Sequence, residues 1–206
     1  MEQSYLKRIM VLVLGIIILS FGIGLIIKAD LGCDAYTTLN LGISGIMHIS
    51  YALVQIVLNF IILAFIIVVD KSFINIGTII NLLAVGPLIE FYNTLINKLI
   101  PYELGFMTRI LFLIIGCIIV SFGVGMYIAP NLGAGPYDIL PLILEKSKNW
   151  PYKWIRITLD VSCSIVGFLL GATIGIGTII VALCLGPGIE YSRSFVVKFI
   201  LKEKSV

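Results

Sequence analysis

Charge is scarce in this sequence. Asp, Glu, Lys and Arg make up 12% of its 206 residues, and apolar side chains make up 60%. A soluble domain carries about 25% charge, so that class is excluded. Histidine is nearly missing too. His48 is the single one, near an expected helix end, where it reads as an exposed or capping residue. Paired His ligands, a Gly-x-Ser-x-Gly elbow and an acidic metal motif are all lacking, so no enzyme, metal or cofactor is expected. The four cysteines, Cys33, Cys117, Cys163 and Cys184, show no paired or metal-ligand spacing. Three of them lie in apolar runs, where cysteine acts as a small hydrophobe. The formal charge of +3 comes from basic residues at helix ends and gives no nucleic-acid signal.

What is present is apolar length. Ile9–Ile27, Ala52–Val69, Phe73–Ile89 and Ile110–Ala129 each reach, or nearly reach, the roughly 20 residues that a helix needs to cross about 30 Å of hydrocarbon. Val161–Ile189 is longer, and Gly171–Gly177 ("GATIGIG") divides it into two helices. Lys7 and Arg8 before the first run suggest a signal peptide, but the run is too long and no small-residue cleavage site closes it. The expected class is all-α, a polytopic helical membrane protein with the bilayer as its first partner.

The chain also repeats itself. At an offset of 101, Ser20, Phe21, Gly22, Gly24, Leu31, Gly32, Tyr36 and Leu39 match Ser121, Phe122, Gly123, Gly125, Leu132, Gly133, Tyr137 and Leu140. Further on, Tyr51 matches Tyr152, and Asn59 falls opposite Asp160. At an offset of 100, "IGTII" recurs at Ile76 and Ile176, and "GPLIEF" at Gly86 answers "GPGIEY" at Gly186. The reading is a duplication, residues 1–100 and 101–206, with three spans in each copy: 7–28, 51–69 and 74–97, then 107–129, 152–170 and 176–198. Three spans per copy invert the second copy in the membrane. With the N-terminus inside, eleven Lys and Arg fall on the cytoplasmic side, and three (Lys28, Lys98, Arg109) fall outside. That bias fits six spans with both termini cytoplasmic. A copy whose short segment crosses fully, giving parallel repeats, is the competing arrangement.

Within each copy the first span ends in an interruption. Leu31–Gly32 is followed by Cys33-Asp34-Ala35-Tyr36, and Leu132–Gly133 by Ala134-Gly135-Pro136-Tyr137. Asp34 or Gly135 before a helix start, and Pro136 at the first helical position, predict new helices over Ala35–Ile49 and Pro136–Lys146. Both are too short or too polar to span, so they are re-entrant or interfacial. Re-entrant half-helices would aim two partly positive N-termini at a shared cavity; a capped surface loop is the bland alternative. Gly86-Pro87 and Gly186-Pro187 make a second kind of break, with Glu90 and Glu190 three residues beyond each proline. Asp160 is a further intramembrane acid, with Arg156 one turn before it. The pair is either a structural ion pair or part of an ion pathway, and Asn59 with Gln55 is its uncharged counterpart. The candidate pathway residues are therefore Glu90, Glu190, Asp160, Arg156, Asn59, Asp34 and Asp138. Gly22, Gly24, Gly123 and Gly125 read as helix-packing positions, and Tyr36 and Tyr137 as interfacial anchors or ligand contacts.

The glycine-rich helix ends followed by "ADLGCDAY" and "APNLGAGPYD", with "GPGIEY" further on, resemble the YczE/YyaS/YitT family of bacterial integral membrane proteins. The resemblance implies a bacterial inner-membrane protein of five or six spans and carries no catalytic residues. Cys33-Asp34 departs from the Gly135-Pro136 turn, so ligand contacts at the two loops need not be symmetric. The function expected is transport of a small solute, proton- or cation-coupled. The alternative is a membrane scaffold or regulator that acts through protein partners. A homodimer is compatible with so small a bundle.

Overall fold

The computed structural model describes residues 2–148, 150 and 152–201. Lys202 and Lys204, which enter the charge count above, lie outside them. Among the described residues eight α-helices follow one another in the order long, short, long, long, twice over: α1 (Glu2–Ala29), α2 (Ala35–Met47), α3 (Tyr51–Asp70), α4 (Ile76–Leu99), α5 (Phe106–Ile128), α6 (Pro136–Lys148), α7 (Tyr152–Leu169) and α8 (Ile176–Phe195). Among the described residues there is no strand. The stretches Tyr5–Ala29, Tyr51–Phe73, Ile76–Leu99, Phe106–Ile128 and Ile176–Leu201 are long and apolar enough to cross a membrane. The protein is thus a membrane protein, all-helical among the described residues and with five such helices there. α7 is absent from this set: its 18 residues include Lys153, Arg156 and Asp160. The lipid-type surface is plain at Val68, Met107 and Leu183, which are 85%, 77% and 70% exposed. Apolar side chains cost nothing there when the surrounding medium is hydrocarbon.

α2, α3 and α4 start where a side chain replaces a missing intrahelical partner, whereas α5 and α8 start on Gly105 and Gly175 without a side-chain cap. Asp34 Oδ1 accepts the Thr37 N–H at 3.1 Å, Ser50 Oγ accepts the Leu53 N–H at 3.2 Å, and Asn75 with Thr78 forms a reciprocal capping box. α6 begins on Pro136, whose missing N–H costs nothing at that position. Before each short helix the backbone turns left-handed twice: at Asp30 and Gly32 (φ 49° and 101°), then at Asn131 and Gly133 (φ 54° and 105°). Asp and Asn tolerate that region, and glycine adopts it without strain. These interruptions are therefore real. The second pair of expected breaks is corrected: Pro87 and Pro187 lie inside α4 and α8, which continue through them. Proline removes one hydrogen bond, and apolar neighbours on both sides keep the rest of the helix formed. His48 ends α2 in a left-handed conformation and is exposed.

The core is the seam between α1 and α5. A Cβ added at Gly15 would meet the Gly123 carbonyl oxygen at 2.8 Å, and one at Gly116 would meet that of Gly22 at 3.0 Å. Gly15, midway along α1, thus touches α5 near its end, and Gly22, further along α1, touches the middle of α5, so the two helices run antiparallel at backbone contact. Small residues permit that approach. α4 packs on α1 through Gly24, opposite Tyr92 and Asn93, and α8 packs on α5 through Gly125, opposite Ser192 and Arg193. Leu12, Ile16, Ile26, Ile89, Leu113 and Val181 fill the space between these four helices. The short helices cross over. α2 packs on α7, with Gly42 and Thr38 against Gly167, and α6 packs on α3, with Ile139 and Ile143 around Ile66.

Candidate functional site

Two loops carry the short helices into this frame. The Gly77 N–H at the start of α4 donates to the Leu132 carbonyl at 2.8 Å, and the Gly177 N–H at the start of α8 donates to the Leu31 carbonyl at 2.8 Å. Each hydrogen bond ties a left-handed turn to the first turn of a long helix. Any side chain on Gly32 would strike Thr178 and Gly175, and any on Gly133 would strike Thr78 and Asn75. The loops are therefore held tightly, and they bring the N-termini of α2 and α6 together.

At that meeting point the rings of Tyr36 and Tyr137, each in the first turn of its helix, stack with centroids 4.4 Å apart and planes 15° from parallel. The Tyr36 hydroxyl donates to Asn59 Oδ1 at 2.7 Å, and the Tyr137 hydroxyl donates to Asp160 Oδ1 at 2.6 Å. On the α7 side the network is charged. Arg156 reaches Asp138 at 2.9 Å and Asp160 at 3.1 Å, with its guanidinium carbon 4.9 Å over the Tyr137 ring. The Tyr127 hydroxyl donates to the second Asp138 oxygen at 2.6 Å. With Asp34 included, three carboxylates face one guanidinium and two helix N-termini, each worth about half a positive charge. Asp34 lies outside the five apolar spans. Burial pushes its carboxyl above the usual carboxylate value, and the Thr37 bond pulls the other way.

The two sides of the stack differ in access. Arg156, Asp138 and Asp160 keep 31%, 37% and 38% of their side-chain surface open. Asn59 and Gln55, on α3, are sealed at 2% and 4%. That sealed side holds polar atoms with no partner. Asn40 gives its amide nitrogen to the Tyr36 carbonyl, but its Oδ1 is unpaired, as is Gln55 Oε1, and Thr178 Oγ1 is a third. Each orphaned acceptor costs about 1–3 kcal/mol in an otherwise apolar interior.

The predicted site residues thus divide. Asp34, Asn59, Asp138, Arg156 and Asp160 converge, and Gly32, Gly133, Gly135 and Pro136 shape the loops that bring them together. Glu90 stands apart. Its carboxylate accepts the Ala52 N–H at 2.8 Å, in the first turn of α3, where Gly86 also lets α3 and α4 touch. Glu190 is exposed and makes no hydrogen bond or ion pair with the described residues, and Gly186 faces open space. Tyr36 and Tyr137 stand at the centre of the cluster, where the sequence left interfacial anchoring open. Gln55, which the sequence set beside Asn59, joins them, and so do Tyr127 and Asn40, which it did not single out. The signal that could have found Asn40 is a polar side chain interrupting an apolar helical face, as Gln55 does one turn before Asn59.

Residues 6–194 match a family described as a family of unknown function, DUF6198. The chain is 26% identical over 193 residues to the uncharacterized membrane protein YczE of Bacillus subtilis, covering 93% of this chain and 88% of that one. An uncharacterized protein of Haemophilus influenzae is 26% identical over 195 residues, covering 93% and 86%. The uncharacterized protein YyaS of Bacillus subtilis is 25% identical over 174 residues, covering 84% and 85%. The resemblance read from the loop motifs holds for YczE and YyaS. No solved structure matches the chain.

Proposed function

The chain belongs to DUF6198, a family of unknown function, and within it we propose a secondary transporter of a small solute, built as two inverted halves around the stacked tyrosines. The observation that carries this reading is the junction itself. Tyr36 and Tyr137, 101 residues apart, stack on each other and bond to Asn59 and Asp160, also 101 apart. Inverted halves are supported by the antiparallel α1–α5 seam and by the matched loop bonds of Gly77 and Gly177. In this reading α7 is the sixth crossing. Arg156 and Asp160 are tolerated there because they face the cluster rather than lipid. The basic-residue bias of the sequence supports cytoplasmic termini on both ends of a protein of the bacterial cell membrane.

Secondary transporters place substrate between half-helix N-termini at a repeat interface and admit it from one side at a time. Two features here agree with such a cycle. The α3 side is closed on α4 through Glu90 and Gly86, while the α7 side leaves Asp138, Arg156 and Asp160 partly open and α8 carries Glu190 free of α7. Exchange of these two arrangements between the halves would turn the site to the other face of the membrane. The charged cluster is where a coupling proton or cation would act.

Cys33 and Cys117 provide the test, because both are 5% exposed and they lie in different parts of the fold. Single-cysteine proteins retaining one or the other are treated in sealed vesicles with an impermeant thiol reagent. A water-reached pathway predicts that Cys33, beside the α2 N-terminus, reacts and that Cys117, in the α1–α5 seam, does not. Equal inertness of the two, with labelling after unfolding, would contradict transport and favour a scaffold packed dry through its centre.

A further inference from the structure

In the paired-halves reading, Gln55 on α3 stands where Arg156 stands on α7, 101 residues later. Arg156 supplies that position with a fixed cation, held by oxygen atoms and lying over Tyr137. Gln55 is neutral. Around it the sealed half leaves acceptors without donors, Gln55 Oε1 itself and Asn40 Oδ1. α2 and α3 are joined by residues 48–50 and run antiparallel. The Tyr36–Asn59 bond fixes their register, so one turn further along both helices Asn40 comes opposite Gln55. The Tyr36 hydroxyl gives its proton to Asn59, and its oxygen remains an acceptor.

We propose that Asn40 Oδ1 and Gln55 Oε1, with the Tyr36 hydroxyl oxygen, bind a dehydrated monovalent cation, sodium, in the place that Arg156 fills in the other half. Three considerations select this ligand. First, both orphaned atoms belong to side chains more than nine-tenths buried, Asn40 at 0% and Gln55 at 4% exposure, so a bare ion suits the site and a hydrated ion or an organic cation does not. Second, the donors are neutral oxygens, and among the described residues no group of three His, Cys, Asp or Glu could hold a multivalent metal. Third, the surroundings are net negative: Asp34, six residues before Asn40, makes no ion pair with the described residues, and one guanidinium serves both Asp138 and Asp160. The inference rests on the correspondence of the two halves in the preceding reading and not on transport itself.

The test is thermal unfolding of the purified protein in detergent, with choline chloride replaced stepwise by sodium chloride at constant ionic strength. Binding predicts a melting temperature that rises with sodium, by about 5 °C or more when sodium stands hundredfold above its dissociation constant. Gln55→Leu should need at least about tenfold more sodium for the same rise. Gln55→Arg, which supplies the cation in cis, should melt at one temperature in both salts. If that variant does not fold, Asn40→Leu gives the same reading, by losing the sodium-dependent rise. Coincident sodium and choline curves for the unaltered protein would mean that the amides satisfy each other, and would overturn the proposal. A sodium effect left intact in both Gln55→Leu and Asn40→Leu would overturn it equally, by placing the ion elsewhere. Since no flux is measured, failure here leaves the transport reading standing, and failure of transport leaves this site standing.

Discussion

Replacing Arg156 with glutamine copies the residue at the corresponding place on α3 and tests whether the charged cluster is held together by its one cation. The guanidinium sits 2.9 Å from Asp138, 3.1 Å from Asp160 and 4.9 Å over Tyr137. Removing one partner from a fully buried ion pair costs about 3–5 kcal/mol. These side chains keep 31–38% of their surface open, so each pair moves towards the solvent-exposed value of about 0.2–1 kcal/mol. Two such pairs and one cation–π contact of about 0.5–1 kcal/mol give a loss near 2 kcal/mol. For a chain of this length that is a fall in melting temperature of about 4–8 °C. Asp160→Asn should cost less, because the amide oxygen still accepts from Tyr137 and Arg156 keeps Asp138. The double variant then recreates the Gln55–Asn59 pair and removes one of the two unpaired acids. It should recover at least half of the loss, a coupling that thermal unfolding of the three proteins reads as a double-mutant cycle. Arg156→Gln melting within about 1 °C of the parent, or strict additivity in the double variant, would refute the argument.

Two other outcomes follow from the packing. Gly123→Ala should destabilise the protein by about 1–3 kcal/mol through overpacking, partly offset by a helix-propensity gain of up to about 1 kcal/mol, because the new methyl meets the Leu19 backbone; an unchanged melting temperature would mean that α1 and α5 do not touch there. Glu90→Ala should cost about 1 kcal/mol by uncapping the first turn of α3, whereas Glu190→Ala should stay within about 0.5 kcal/mol; equal effects in thermal unfolding would contradict the difference in contacts between α4 and α8.

Much of the frame was legible in the sequence, for reasons that are local. Apolar length marked the long helices, and Asp34 and Pro136 marked the starts of the short ones, because capping chemistry depends on residues two or three apart. Gly32 and Gly133 were legible because only glycine takes their backbone angles cheaply. The prolines misled. Pro87 and Pro187 look like helix breakers, yet whether a lost hydrogen bond ends a helix depends on what surrounds it. The stacking of Tyr36 on Tyr137 was out of reach, since it joins residues 101 apart through the cross-packing of α2 on α7 and α6 on α3. The same holds for Glu90. Its distance from Pro87 suggested a shared face, but the partner, the Ala52 N–H, becomes visible only when α3 lies against α4. The pairing of Arg156 with Asp160 is an i, i+4 contact and could be read directly, while its second partner, Asp138, comes from another helix.

The central claim is that the two halves stand inverted in the membrane, and the short connections between long helices report on it most directly. Ser72 lies between α3 and α4, and Thr173 lies in the matching connection between α7 and α8. Ser72→Cys and Thr173→Cys would be made singly in a protein lacking its four native cysteines. Each would be treated with an impermeant thiol reagent on intact cells and again on inverted vesicles. The inverted arrangement predicts opposite sides, with position 72 reacting from the cytoplasm and position 173 from outside. Reaction of both from the same side would contradict it, and with it the account of a site shared between inverted halves.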